Sequence, residues 1–192
     1  MTSPTVRVLG IDPGSLRAGW AVVAGSASRP ELHACGRIAM PPAWPFERRL
    51  ASLQEEFLRV VADTAPTHAA VEAPFHGVSA RAALQLAHAR GVMLAVLGSA
   101  GVSVTEYAPA TIKKAVTGQG RADKAQVAAM VRAILRRPDP LLRDDVSDAA
   151  AAALCHMYRG GWQDRVASAP EARITRVSMR GPSSTSGRGE PA

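Results

Sequence analysis

Aromatic side chains supply only 4% of this 192-residue chain. A core here must therefore be built mostly from Val, Leu, Ile and Ala, and the hydrophobic fraction of 47% is that of a globular protein and not a disordered one. Cysteine is nearly absent: Cys35 and Cys155 cannot form a disulfide framework, and they fit a reducing compartment. The opening Thr2-Ser3-Pro4 has no basic segment followed by an apolar one, so a signal peptide is not expected and a cytoplasmic location is. No apolar run is expected to span a membrane; Gly91 to Ala100 is too short and follows a charged, helical stretch. Neither terminus offers a basic amphipathic helix with a strong apolar face, which sets a membrane surface aside. Acid is scarce relative to base. With 23 Lys and Arg against 16 Asp and Glu, the formal charge is +7 and the isoelectric point about 10.4. GC-rich coding, where present, would inflate arginine by itself, but a polyanionic partner, nucleic acid first, is the expectation.

The length fits one domain with a real core. Val6 to Ile11 reads as a strand, Asp12-Pro13-Gly14-Ser15 as a turn, and Gly19 to Ala24 as an antiparallel return. Glu31 to Met40 reads as a third strand, stopped by Pro41-Pro42. From Phe46 the period becomes helical, with Leu50, Leu53, Phe57, Val60 and Val61 on one stripe. Ala69 to Glu72 is a short buried strand. Ala80 to Leu97 is a long helix with Leu84, Ala87, Gly91, Leu94 and Ala95 roughly on one face, and Val102 to Tyr107 is a fifth strand. Helices follow over Ala110 to Val116, Asp123 to Leu135 and Asp145 to Tyr158. The order predicts an α/β fold: a mixed five-stranded sheet opening with an antiparallel three-strand meander, helices on both faces. Residues 1–167 are expected to form the domain, and 168–192, rich in Ser, Gly, Pro and Arg, a disordered basic tail.

Four carboxylates stand at places where a strand ends or a helix begins. Asp12 closes the first strand and Glu72 the fourth, while Asp145 and Asp148, three residues apart, share a face of the last helix. Converging acids repel and raise one another's pKa unless a cation lies between them. Oxygen-only ligation suits Mg²⁺ or Mn²⁺, and paired metals about 4 Å apart are a recurrent device for displacement at phosphorus. Taken singly, Asp12 before Pro13-Gly14 also reads as a turn residue, and Asp145 as an acid favoured by the helix dipole. Glu72 is harder to dismiss, since an acid ending an apolar strand needs a partner or a cation.

Between Lys113 and Arg137 seven basic residues face only Asp123 in opposition. Lys113, Lys114 and Lys124 read best as phosphate contacts, whereas Arg132, Arg136 and Arg137 read as a solvated helix face. Phe75 sits in a polar loop where a core aromatic is less expected.

The run Leu9-Gly10-Ile11-Asp12-Pro13-Gly14-Ser15, then Gly19, resembles the opening of the RuvC family of Holliday-junction resolvases. Val71-Glu72-Ala73-Pro74-Phe75, Gly118-Gln119-Gly120-Arg121-Ala122-Asp123-Lys124 and Asp145-Val146-Ser147-Asp148-Ala149-Ala150 resemble its later motifs, in order, over about Val6 to Tyr158. Any one motif is weak, but four in order are specific. The resemblance implies an RNase H-like fold, a homodimer meeting through the long helix, and symmetric nicking of four-way junction DNA that leaves 5′-phosphate and 3′-hydroxyl ends. It implies Asp12, Glu72, Asp145 and Asp148 as ligands of two Mg²⁺ ions, with Mn²⁺ as the alternative. Some members carry His where this chain has Asp145. It also implies Phe75 as a wedge at the crossover, Lys113 and Lys124 as DNA contacts near the cut, and a branch-migration motor as partner; Lys114 and Arg121 of the same basic segment are candidate DNA contacts beside them.

His76 and His156 have only ordinary readings alone, solvated or packed, with a supporting part beside the acids open for His156. Gly14 and Ser15 suit either close approach of a phosphate or plain turn chemistry. A strand ending Asp-x-Gly-Ser also opens the sugar-kinase and actin-like ATPases, which need two such domains in a longer chain. A sister nuclease of the same fold is the closer rival. A junction-binding protein without catalysis would have no reason to keep all four acids.

Overall fold

The computed structural model describes residues 6–73, 79–137, 142 and 144–159. Strands β1 (Arg7–Asp12), β2 (Arg17–Ser26) and β3 (Arg29–Ala39) come first, followed by helix α1 (Phe46–Thr64), strand β4 (His68–Glu72), helix α2 (Ala80–Ser99) and strand β5 (Ser103–Tyr107). Helices α3 (Pro109–Thr117), α4 (Lys124–Leu135) and α5 (Asp144–Arg159) complete the order. Each element expected from the periodicity is present, with its ends shifted by a residue or two. The proposed basic tail lies outside the described residues.

The sheet runs β3-β2-β1-β4-β5. Antiparallel pairing of β1 with β2 and of β2 with β3 makes the meander, whereas β1–β4 and β4–β5 are parallel. α1 carries the chain from the edge strand β3 to β4, and α2 makes the crossover from β4 to β5 that a parallel pair requires.

Strand alternation sorts the side chains between two layers. Leu9 and Ile11 of β1, Val22 of β2, and Ala69 and Val71 of β4 share one core with Leu53 and Phe57 of α1 and Met93 and Leu97 of α2. Val8, Gly10 and Asp12 of β1 therefore face the other layer, where α5 crosses β1, β2 and β4. A Cβ on Gly10 would stand 1.8 Å from the Ala149 carbonyl oxygen, and one on Gly19 would stand 2.1 Å from that of Asp145. Helix and sheet backbones are thus nearly in contact, a separation only glycine permits at these points.

Ala149 to Ala153 are all buried, because α3 and α4 cover the side of α5 that the sheet leaves open. A helix that is apolar on all sides belongs in such an interior position.

Most of the stripe expected on one face of α2 is turned away from the core. The stripe Leu84, Ala87, Gly91 and Ala95 faces outward, with Leu84 61% exposed, while Ala89, Met93, Val96 and Leu97 face the core. Among the described residues α2 is also long and apolar enough, by length and composition, to cross a membrane. The sequence expectation missed this by weighing only Gly91 to Ala100. Its inner face is packed on the sheet, so one apolar side serves the core and the other is exposed among the described residues.

Gly10→Ala should destabilise the fold by roughly 2–4 kcal/mol, because the new methyl meets backbone and not a movable side chain. Gly91→Ala, where the corresponding space is open, should stabilise by up to about 1 kcal/mol through helix propensity. Chemical denaturation of the two variants checks the contrast; equal effects would disprove the close approach of α5.

Candidate active site

Asp12 is the last residue of β1 and lies opposite Gly19 of β2. Ile11 pairs in parallel register with Val71, so Asp12 and Glu72 follow at the ends of neighbouring strands, and alternation turns both toward α5. α5 begins at Asp144, whose φ of 44° gives the chain a left-handed turn into the helix. Since Gly19 has no side chain, the Asp145 backbone settles directly over it, one cross-strand step from Asp12. Asp148 is one turn further along the same side of the helix.

These placements make Asp12 electrostatically frustrated. Its pKa is pushed up to about 7, first by burial and then by the negative charges of Asp148, Asp145 and Glu72, with Lys124 opposing. Burial also raises Glu72, Asp148 adds to that rise, and Lys113 and Lys124 work against it. Lys124 Nζ lies 2.9 Å from Asp148 Oδ2, and that hydrogen bond holds the lysine above its ordinary range.

All four acids thus act on one point through their fields. They do not close on it as ligands: among the described residues no three His, Cys, Asp or Glu side chains form a group that could hold a metal ion. Like charges aimed together settle apart unless a cation joins them, and here an ammonium takes up one carboxylate oxygen. The donor set, oxygen-only and partly buried, fits a hard divalent cation.

Beside the acids is a cleft of about 190 Å³. Glu72 and Asp148 line it with Lys113 and Lys124, over the apolar side chains of Ile112 and Val127. Local sequence explains how the lysine reaches it. Gly118, at φ 80°, ends α3 in a left-handed cap, and Asp123 starts α4 with a capping box. Asp123 Oδ1 accepts from Gln126 N at 2.8 Å, and Gln126 Oε1 accepts from Asp123 N at 3.0 Å. Lys124 is therefore the first helical residue, set against Asp148.

The remaining sequence candidates separate. Lys113 is half-buried at the cleft, while Lys114 and Arg121 are exposed and do not line it. Arg136 and Arg137 are exposed, and Arg132 is half-exposed, in keeping with a solvated face. Phe75 and His76 lie outside the described residues. Gly14 serves its own turn, since a Cβ there would stand 2.0 Å from the Arg17 carbonyl oxygen.

His156 meets Tyr107 of β5. Its Nδ1 is 2.9 Å from the hydroxyl of Tyr107, the cross-strand neighbour of Glu72, and its ring is 5.4 Å from that of His68. Sequence reasoning missed Tyr107, and also two buried arginines, Arg49 and Arg90, that bond to backbone beside the acids. The signal for Arg90 was a lone cation on an otherwise apolar stretch of helix.

A mixed sheet of this order, with one acid on the end of each of two adjacent parallel strands and two more on the crossing helix, defines the RNase H-like class. The chain belongs to the family described as crossover junction endodeoxyribonuclease RuvC, whose match covers residues 8–156. A RuvC from Sorangium cellulosum is 42% identical over 163 residues, 85% of this chain and 90% of the relative. Among solved structures, T. thermophilus RuvC in complex with a Holliday junction substrate matches with a TM-score of 0.76 and 33% identity, covering 80% of this chain and 94% of that one. The yeast mitochondrial Holliday junction resolvase Ydc2 shares the fold, with a TM-score of 0.58 at 15% identity over 85% of this chain and 83% of its own.

A pH experiment tests the frustration. The folded value for Asp12, about 7, lies above the ordinary 3.8, so ionising it costs the fold stability as pH rises through that interval. In EDTA, Asp12→Asn should be more stable than wild type at pH 8 by roughly 1–3 kcal/mol, below the full linkage value because Asp12 is partly exposed. The difference should vanish near pH 4, and denaturation curves at the two pH values read it. A variant less stable at pH 8 would contradict the assigned charge cluster.

Proposed function

We propose that this protein resolves four-way DNA junctions by divalent-metal-dependent hydrolysis of two phosphodiesters, one in each of two like strands. The observation that carries the reading is the gathering of half-buried Asp12 and Glu72 on adjacent strand ends with the acids that open α5, beside a lysine-lined cleft. Asp12, Glu72, Asp145 and Asp148 are the proposed catalytic groups and would hold the metal, Asp12 from the end of the central strand. Two Mg²⁺ ions are the proposed complement, Mn²⁺ the alternative. When bound, such a pair supplies a water that is deprotonated at neutral pH and neutralises charge on the leaving 3′-oxygen.

The chain's own residues do the rest. Asp12 would hold a cation as its carboxylate, and Asp148 would join it by giving up its contact with Lys124. Lys124, released, turns to the scissile phosphate and stabilises developing charge there, with Lys113 on the same cleft. Lys114 and Arg121, exposed nearby, hold the DNA backbone outside the cleft. Phe75 follows Glu72 by three residues and is proposed to stack at the crossover and part the bases beside the cut.

Resolution needs two sites related by a twofold axis, so the functional unit is a homodimer. The outward apolar side of α2, including Leu84, supports that helix as the meeting surface. Residues 1–167 form the nuclease and 168–192 a basic tail. A cytoplasmic location and a branch-migration motor as partner complete the reading.

Cleavage of a synthetic four-way junction in Mg²⁺ and in Mn²⁺ tests it, with duplex, splayed and single-stranded DNA and an RNA–DNA hybrid beside it. Paired symmetric nicks on the junction alone are expected. Asp12→Asn and Glu72→Gln should each lower the rate about a thousandfold while junction binding stays largely intact. Preference for another substrate would move the protein to a sister nuclease, and an unchanged rate in either variant would remove the metal-site assignment. Phe75→Ala should lower cleavage more than binding; equal losses would mean a structural role.

A further inference from the structure

Buried arginine ordinarily stands against a carboxylate that compensates its lost hydration. The two buried arginines among the described residues both give hydrogen bonds to main-chain carbonyls beside the acids. Arg49 of α1 donates through Nη1 to the Ser15 oxygen at 3.0 Å, three residues after Asp12. Arg90 of α2 donates through Nη1 to the oxygen of Glu72 itself at 2.8 Å. Both reach the strand ends from the layer opposite α5, behind the carboxylates they would steady.

Arg90 makes a second contact. Its Nη2 is 2.6 Å from Glu106 Oε1, close enough for an ion pair though off the line of a hydrogen bond. Glu106 sits on β5 opposite Val71, so the guanidinium joins β4 and β5 from behind, one residue before their last paired positions. Ala73 N donates to the Tyr107 oxygen at 2.8 Å, tying the same strand end from the side. An ion pair to Glu106 would suffice to hold α2 on the sheet. The additional bond to Glu72 O fixes the peptide from which a proposed catalytic carboxylate projects, and a charged donor makes it stronger than a neutral hydrogen bond.

We propose that Arg90 is a positioning residue: it anchors the Glu72 main chain so that the carboxylate stays aimed toward Asp12 and Asp148 against their mutual repulsion, and it thereby sets the affinity of the site for divalent metal. The proposal rests on the reading of Glu72 as a metal-holding acid. It assigns to α2 a link between its packed face and the acids.

The test uses the full-length chain as wild type, Arg90→Met, Arg90→Lys, Glu106→Gln and Glu72→Gln. Mn²⁺ affinity is measured by titration calorimetry, the Mg²⁺ dependence of junction cleavage by rate, and junction affinity in EDTA by gel shift. Arg90→Met should weaken Mn²⁺ binding about tenfold and raise the half-saturating Mg²⁺ by a similar factor, with saturating Mg²⁺ restoring most of the rate. Junction affinity in EDTA should stay within about twofold, since Arg90 is buried away from DNA.

Arg90→Lys, which keeps a cation, should fall between, and it decides the matter if the methionine variant does not fold. Glu106→Gln should bind Mn²⁺ like wild type because the bond to Glu72 remains. Unchanged metal affinity in Arg90→Met, or in Arg90→Lys where that variant must serve, would overturn the proposal. So would a Glu106→Gln defect equal to that of Arg90→Met. Wild-type cleavage by Glu72→Gln would instead remove the assignment of Glu72 and the proposal with it, so the two failures are distinguishable.

Discussion

The near-contact of α5 with the sheet governs everything else in this molecule. Gly10 and Gly19 leave no room between the strands and the helix backbone, and the alanines of α5 keep that helix thin on both sides. A thicker residue at either glycine would lift the helix away. Because the helix lies so low, its first turn arrives at the ends of β1 and β4, and the acids it carries meet those that close the strands. The same thinness lets α3 and α4 settle over α5, which brings Lys113 and Lys124 around to the acids.

That geometry concentrates negative charge where burial already disfavours it. The fold tolerates the concentration through Lys124 on Asp148 and through a shift of Asp12 toward its neutral form. Both adjustments are reversible, which suits a site that takes up and releases cations and phosphate. Behind the acids, arginines on the opposite layer grip the main chain, so the repulsion acts on strand ends that are held from both sides. His156 meets the Tyr107 hydroxyl and packs beside the His68 ring on the α5 side.

The order of strands and helices was legible because hydrophobic periodicity changes cleanly at Phe46, at Ala80 and after Tyr107. The four acids were legible for a related reason: each ends a strand or opens a helix, and such places are marked by local patterns. Helix α2 was less so. Its composition is apolar nearly all round, and only the packing shows that Ala89, Met93, Val96 and Leu97 face inward while Leu84 and Gly91 face out. The lysines were found as a charged segment, yet spacing could not separate Lys113 and Lys124, which line the cleft, from Lys114 and Arg121, which do not. Arg49 and Arg90 escaped because a lone arginine in a helix ordinarily reads as a solvated charge.

By itself the sequence determined the family, the element order and the placing of four acids at strand ends and a helix start, since these are properties of local pattern and of motifs in series. Tertiary structure decided which carboxylate bears the strain, which lysine answers it, and which face of α2 is left uncovered. Those outcomes depend on distances between residues remote in the chain, such as Gly19 and Asp145, or Glu72 and Arg90. Charge interaction and steric contact act through space, and no spacing along the chain encodes a separation that only the packed backbone creates.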